Sequence, residues 1–203
     1  MADKTKIMLS EQEQQIVNDT QWILTKQAII QKVYYLFNEQ VPVITALFSG
    51  TNPEHTGKLL SAVPKISKGE NYNGLPYVIL DYPSLFDKEK IFALRTMFWW
   101  GNFFSVTLHL SGKYKDQFAD KICNNAFNCP AHFYVCVHTD PWQHHFEASN
   151  YISLNGLKKK DINKLIDEKD FIKLALKYDL SQWETIDSLL QAAYNNIIQL
   201  LKD

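Results

Sequence analysis

The sequence is poor in arginine, cysteine and glycine, and each scarcity excludes a class of protein. Only seven of the 203 residues are glycine, and neither a P-loop nor a G-x-G-x-x-G fingerprint occurs. No cofactor is therefore predicted. The three cysteines, Cys123, Cys129 and Cys136, form neither a disulfide framework nor a C-x-x-C pair. Free thiols are typical of a reducing compartment.

Basic charge is carried almost entirely by lysine, because Arg95 is the only arginine among the 21 lysine and arginine residues. The formal net charge is −1. Nucleic-acid binding usually requires a basic face, and arginine makes the bidentate contacts to phosphates and bases. The composition thus argues against nucleic acid as a partner.

Long apolar runs are also lacking. No run approaches the roughly 20 residues of a membrane span, and the N-terminal stretch is polar, without the apolar core of a signal peptide. With the free thiols, this predicts a cytoplasmic protein that does not bind a membrane. A hydrophobic fraction of 46% supports a sizeable core, and 203 residues fit a single domain.

Helical patterns occupy both ends of the chain. Ser10 and Glu13 have the spacing of a capping box, and apolar residues then recur every seven positions from Ile16 to Phe37. This pattern predicts a long amphipathic helix with a break near residues 18–19. At the other end, residues 161–168 and 170–178 are predicted as short helices. A final helix is predicted from residue 181 onward.

The middle of the chain is rich in β-branched and aromatic residues. The order of helices, then strands, then helices predicts an α+β fold. We expect a helical part at 1–50, a sheet part at 75–154 and a helical part at 157–203. The expected sheet is antiparallel, has four to five strands, and is covered on one face by the N- and C-terminal helices.

Residues 91–112 are predicted to form a β-hairpin at the centre of this sheet. Gly101-Asn102 between aromatic runs indicates a two-residue type II′ turn. This register places Trp100 opposite Phe103. It also places Arg95 on the apolar face that meets the helices, where an unpaired guanidinium is costly. Arg95 is therefore expected to pair with a carboxylate such as Asp81 or Asp87, or to bind an anionic ligand.

The second face of the hairpin is the more polar one. It carries Trp100, Phe103 and His109, and a strand predicted at 131–139 adds His132, Tyr134 and His138 to the same side. Aromatic rings beside imidazoles are a reasonable lining for a ligand cleft. The alternative is a half-exposed sheet face without a ligand.

Two further stretches contain residues that could bind a ligand or a metal. Residues 65–74 are predicted as a long loop, in which Glu70 and Tyr72 could contact a ligand or belong to a plain connection. Residues 138–145 contain three histidines and an aspartate, but Pro141 interrupts them and no zinc-binding spacing is present. A polar turn is favoured there, and no metal site is predicted.

Two classes of function stay open at this point. The first is a small-ligand or protein binding module that uses the aromatic sheet face. The alternative is a small hydrolase-like or metal-dependent enzyme with a His-rich cleft. The sequence fixes neither the ligand nor the oligomeric state. The candidate ligand-binding residues are Arg95, Trp100, Phe103, His109, His132, Tyr134, His138, Tyr72 and Glu70.

Overall fold

A computed structural model describes residues 7–50, 57, 59–129 and 131–202 of the chain. These residues form a mixed α/β fold with one antiparallel sheet. None of the described helices is long and apolar enough to cross a membrane. The helices are α1 (Glu11–Asn18), α2 (Thr20–Ser49), α3 (Lys113–Asn128), α4 (Lys159–Asp167) and α5 (Ile186–Leu201), with a 3₁₀ helix at Leu180–Thr185 before α5.

The sheet has seven strands, so the prediction of four to five strands was too low. Their order across the sheet is β1-β2-β3-β4-β7-β5-β6, and every neighbouring pair is antiparallel. The first four strands form a meander, and β7 returns from the C-terminal part to lie beside β4. The strands are β1 (Lys65–Tyr72), β2 (Leu75–Phe86), β3 (Ile91–Trp99), β4 (Phe103–Ser111), β5 (Tyr134–Cys136), β6 (Tyr151–Ser153) and β7 (Phe171–Asp179).

The N-terminal helices begin where the sequence predicted. Ser10 and Glu13 form a complete capping box at the start of α1. Asp19 ends α1 and caps α2, because its side chain accepts the backbone N–H of Trp22 at 3.1 Å. Pro42 lies inside α2 and does not interrupt it.

One face of the sheet, the helix face, packs against α2, α3 and α5. It presents the even-numbered residues of the central strands, because side chains alternate along a strand. The hydroxyls of Thr96 on β3 and Tyr194 on α5 lie 2.8 Å apart and join the two layers. Within the helix layer, Gln40 of α2 donates to Asp187 of α5 at 2.6 Å. The buried sheet residues on this face include Val78, Leu80, Phe92, Leu94, Phe98, Phe104, Val106, Leu108, Leu110, Ile172, Leu174 and Leu176.

The other face, here called the opposite face, presents the odd-numbered residues. It is covered by residues 137–150, the irregular segment between β5 and β6, which we call the covering segment. Phe146 of this segment packs on Phe103, Tyr134 and Tyr151, with ring centroids 4.6–5.1 Å apart. The sheet face that was predicted to line a ligand cleft is therefore covered by the protein's own covering segment.

The predicted hairpin exists, but its register was wrong by one residue. Trp99, not Trp100, pairs with Phe103, and Ala93 pairs with His109. The connection is a three-residue loop in which the N–H of Asn102 donates to the carbonyl of Trp99. A shift of one residue moves every side chain of β3 to the other face. Arg95 consequently lies on the opposite face with His109 and not on the helix face.

Three predicted elements differ from the structure. Residues 65–74 form strand β1 and a tight turn, not a loop, and residues 170–178 form strand β7, not a helix. In β7, the run from Phe171 to Leu176 is buried on both faces. Such a run lacks the alternation that distinguishes a strand from a helix. The strand predicted at 131–139 is only Tyr134–Cys136, so His132 and His138 lie beyond its ends.

Candidate functional site

Strand pairing assembles a row of polar side chains on the opposite face. Asp81, Arg95 and Thr107 are direct neighbours on β2, β3 and β4, and His109 pairs with Lys173 on β7. Asp81, Thr107, His109 and Lys173 are buried. Charged residues are rarely buried without partners. This row of buried polar side chains is therefore the candidate site.

Arg95 is held by a carboxylate and an imidazole. Its Nε and Nη2 donate to the two carboxylate oxygens of Asp81 at 2.7 and 2.9 Å, a bidentate pairing that fixes the guanidinium plane. Its Nη1 lies 3.1 Å from Nε2 of His144, which belongs to the covering segment. Because arginine can only donate, His144 accepts through Nε2 and is neutral. Burial, followed by the charges of Lys173 and Arg95, lowers the pKa of His144 to about 2.

His109 has an unpartnered nitrogen in this row. Its ring packs edge-on against Trp142 and Phe171, with centroids 5.5 and 5.7 Å away. Only 5% of the residue is exposed, and Nε2 has no hydrogen-bond partner among the described residues. Burial, then the charges of Lys173 and Arg95, lowers the pKa of His109 to about 3. A neutral imidazole whose buried nitrogen lacks a partner can form a hydrogen bond with a bound molecule.

Lys173 is the most buried charged residue in the row, at 2% exposed. Its Nζ donates to the carbonyls of Pro141 and Gln143 at 2.8 and 2.5 Å. Among the described residues, no carboxylate forms an ion pair with it. Burial lowers the pKa of Lys173 to about 8, although nearby Cys136 raises it. The ammonium group therefore remains largely charged at neutral pH while it lacks an anionic partner.

These side chains surround a small pocket. Arg95, Thr107, His109, Trp142, His144 and Lys173 line it, and its free volume is about 10 Å³. That is close to the space that one water molecule needs. Phe86 and Trp142 lie beside each other at its rim, 6.1 Å apart, and both are about half exposed. Their rings border the pocket on its solvent-exposed side.

The covering segment is fastened over the pocket by several hydrogen bonds. The hydroxyl of Tyr72 accepts the backbone N–H groups of His144 and His145 at 2.7 and 3.1 Å. Lys169 donates to the carbonyls of Val137 and His138 at 2.8 and 2.9 Å. These bonds hold the start and the middle of the segment in place over the sheet, and Trp142 is one of its exposed residues.

The predicted site residues fall into two groups. Arg95 and His109 line the pocket, and Tyr72 contacts His144 beside it. Phe103 and Tyr134 share the opposite face and both pack on Phe146, but neither lines the pocket.

The other four predicted residues lie elsewhere. Trp100 packs on Phe98 on the helix side, so its placement beside Phe103 was wrong. Glu70 is exposed and pairs with Lys26. His132 is exposed beside Asn155. His138 accepts the N–H of Asp140 within the covering segment.

Sequence reasoning missed Lys173 and did not place His144 in the ligand cleft. A lysine within the apolar run of residues 171–176 was a signal, since a buried strand rarely holds an unpaired charge. His144 was examined only as a metal ligand, in a segment whose position over the sheet depends on long-range contacts. The histidine pair of the site is 109 and 144, and not the set 109, 132 and 138.

The Cys136 thiol is not activated as a nucleophile. Burial raises the pKa of the Cys136 thiol, so the thiolate needed for attack is disfavoured. Its sulfur donates to the side chain of Asn150 at 3.4 Å. No group of three or more His, Cys, Asp or Glu side chains that could hold a metal ion occurs among the described residues. What the site provides is positive charge and an imidazole.

The fold and the site thus define a mixed α/β protein with a small cationic pocket under a covering segment. No family model matches the chain, and neither a curated protein nor a solved structure matches it. The chemistry of the pocket is therefore the basis for the proposed function.

Proposed function

We propose that this protein is a binding protein that holds a small anion in the pocket between Arg95, His109 and Lys173. The observation that carries the proposal is the buried, unpartnered Nε2 of His109, in a pocket bordered by two cations. A buried polar atom without a partner costs about 1–3 kcal/mol. A bound molecule that accepts or donates a hydrogen bond there removes this cost.

The charge of the pocket favours an anion over a neutral ligand. Asp81 neutralises Arg95, whereas Lys173 has two carbonyls and the ring of Tyr151 as partners and no carboxylate among the described residues. A negative charge beside Lys173 would form the ion pair that a buried ammonium lacks. Chloride or the charged end of a small carboxylate meets this requirement.

The size of the pocket sets the ligand class. A volume of about 10 Å³ holds a water-sized species. A carboxylate therefore enters with its charged end, and the remainder passes between Phe86 and Trp142 at the rim. The two exposed rings favour a short apolar remainder, as in a small fatty or keto acid.

Titration with chloride, formate, acetate and inorganic phosphate at constant ionic strength tests the proposal. Thermal unfolding and the NMR shifts of the His109 ring are the two measurements. At least one anion is expected to raise the melting temperature in a saturable manner and to shift the His109 ring signals. The ring signals identify the pocket as the site of binding.

Two variants sharpen the test. His109→Phe keeps a ring between Trp142 and Phe171 but removes the unpartnered nitrogen, so the saturable effect of the anion should be lost. Without anion, this variant should be as stable as the parent or more stable. Lys177→Met is the control, because Lys177 lies on β7 like Lys173 but is exposed. An anion effect that survives His109→Phe, or the absence of any saturable effect, contradicts the proposal.

A further inference from the structure

Residues 7–25, the N-terminal arm, carry apolar side chains that nothing in the described chain covers. The arm comprises α1 and the first turns of α2, and every one of its residues is exposed. Contiguous apolar surface of this kind marks an interaction site in most soluble proteins. The exposed apolar residues of the arm are Ile7, Met8, Leu9, Ile16, Val17, Trp22, Ile23 and Leu24.

The stripe that α2 buries in the domain continues onto the arm. Ile30, Phe37 and Ile44 recur every seven residues along α2 and are buried, and Ile23 precedes them in the same helix but is exposed. The sheet no longer covers the stripe at Ile23. A second helix packed along the arm would bury it in the same way.

A groove lies where the arm leaves the domain. Trp22 and Ile29 of α2 line one side, and Trp100 of the β3–β4 loop lines the other. Its volume is about 290 Å³, enough for one large side chain. Lys26 also lines it, but its amino group is paired with Glu70 at 2.5 Å. Two tryptophans around a groove are typical of an interface anchor point.

The negative charge of the arm indicates the kind of partner that it can bind. Its charged residues are Glu11, Glu13 and Asp19, all acidic. A membrane surface rich in anionic lipid would be repelled by them, and so would a second arm. Positively charged residues beside an apolar stripe would be attracted.

We propose that the N-terminal arm docks an amphipathic helix of a partner protein, whose apolar stripe is flanked by lysine or arginine. A bulky side chain of that helix fills the groove between Trp22 and Trp100. A stable interface buries about 800 Å² on each partner. The apolar side chains of the arm, most of them half exposed or more, offer an area of that order.

The test uses two synthetic helical peptides of about 18 residues, roughly five turns. Both carry one leucine stripe with a central phenylalanine; lysine flanks the stripe in one and glutamate in the other. Fluorescence anisotropy of the labelled peptides measures binding to the full chain. The lysine peptide should bind at least about tenfold more tightly than the glutamate peptide.

Three variants locate the site. Trp22→Ala should weaken binding of the lysine peptide at least about tenfold, as expected for an anchor residue. The double variant Glu11→Lys with Gln15→Lys changes the charge of the arm from −3 to 0 without touching the cap of α1, and should abolish the preference between the peptides. Tyr35→Ala removes an exposed ring further along α2 and should change nothing. All four substituted positions are exposed, so the melting temperature should stay constant.

Several results would overturn the proposal. They are equal affinity of the two peptides, no measurable binding of the lysine peptide, or unchanged affinity after Trp22→Ala. Tighter binding to phosphatidylserine vesicles than to the lysine peptide would assign the arm to a lipid surface instead. A concentration-dependent dimer that Trp22→Ala dissociates would assign it to a second copy of the chain.

Discussion

At the residue scale, the pocket concentrates ionisable groups whose charged forms the fold disfavours. His109 and His144 are both neutral, and each has a pKa far below that of a free imidazole, mainly because of burial. Lys173 lies between them with a pKa lowered to about 8. Groups shifted in this way are typical of functional sites, and they also make stability depend on pH.

We predict that the protein loses stability as the pH falls below about 6.5, the ordinary pKa of histidine. Above that pH, both imidazoles are neutral in the folded and the unfolded chain. Below it, the unfolded chain binds protons that the folded chain does not, until the pH approaches the folded pKa values of about 3 and about 2. Each histidine then costs about 1.4 kcal/mol per pH unit.

Urea unfolding between about pH 6 and pH 4 measures this dependence. His109→Phe should reduce the slope by about 1.4 kcal/mol per pH unit, because one of the two histidines is gone. Parallel curves for the parent and His109→Phe would refute the assignment.

At the element scale, the elements with local signals were predictable and those defined by pairing were not. The capping box at Ser10, the break at Asp19 and the apolar stripe of α2 can each be read within a few helical turns. Strand β7 could not be read in this way. Its burial on both faces comes from the helices on one side and the covering segment on the other.

Prediction of the site residues likewise depended on strand register and other long-range contacts. The sequence pointed to Arg95 and His109 separately, but a register error of one residue put them on different faces. Loop length decides that register, and Gly101 is compatible with loops of two or three residues. Lys173 and His144 come close to His109 only through the position of β7 and of the covering segment.

Two glycines at the ends of β4 give a matched prediction about these connections. Both have positive φ, +69° at Gly101 and +52° at Gly112. A Cβ at Gly101 would meet nothing within 4 Å, whereas one at Gly112 would lie 2.1 Å from the carbonyl oxygen of Glu89. Gly101→Ala should therefore cost only the left-handed backbone strain, about 1–2 kcal/mol.

Gly112→Ala should cost more, roughly 3 kcal/mol or above, because backbone at Glu89 must also shift. Urea unfolding of the two variants beside the parent gives the comparison. Equal losses for the two alanines would mean that the Glu89 turn moves without cost, and would contradict the close approach of the two backbones.

At the scale of the whole molecule, the protein has three stacked layers and an N-terminal arm that lies outside them. The helices cover one face of the sheet, and the covering segment closes the other over a charged pocket. The N-terminal arm contributes no buried residue to either layer. The two proposals thus concern surfaces that do not share a residue, and each can fail without the other.

This separation predicts that residues 1–25 can be removed without loss of the fold. A chain that begins at Lys26 keeps the ion pair with Glu70 and all the described buried residues, so its melting temperature should stay within about 2 °C of the parent. The same deletion should abolish binding of the lysine peptide and leave anion binding intact. A deletion through residue 34 is the control, since it also removes the buried side chains of Ile30 and Val33 and should destabilise the fold strongly. A fall of more than about 5 °C in the shorter deletion would mean that the arm contributes roughly 1–2 kcal/mol to the fold, and its apolar residues would then have a partner within the chain.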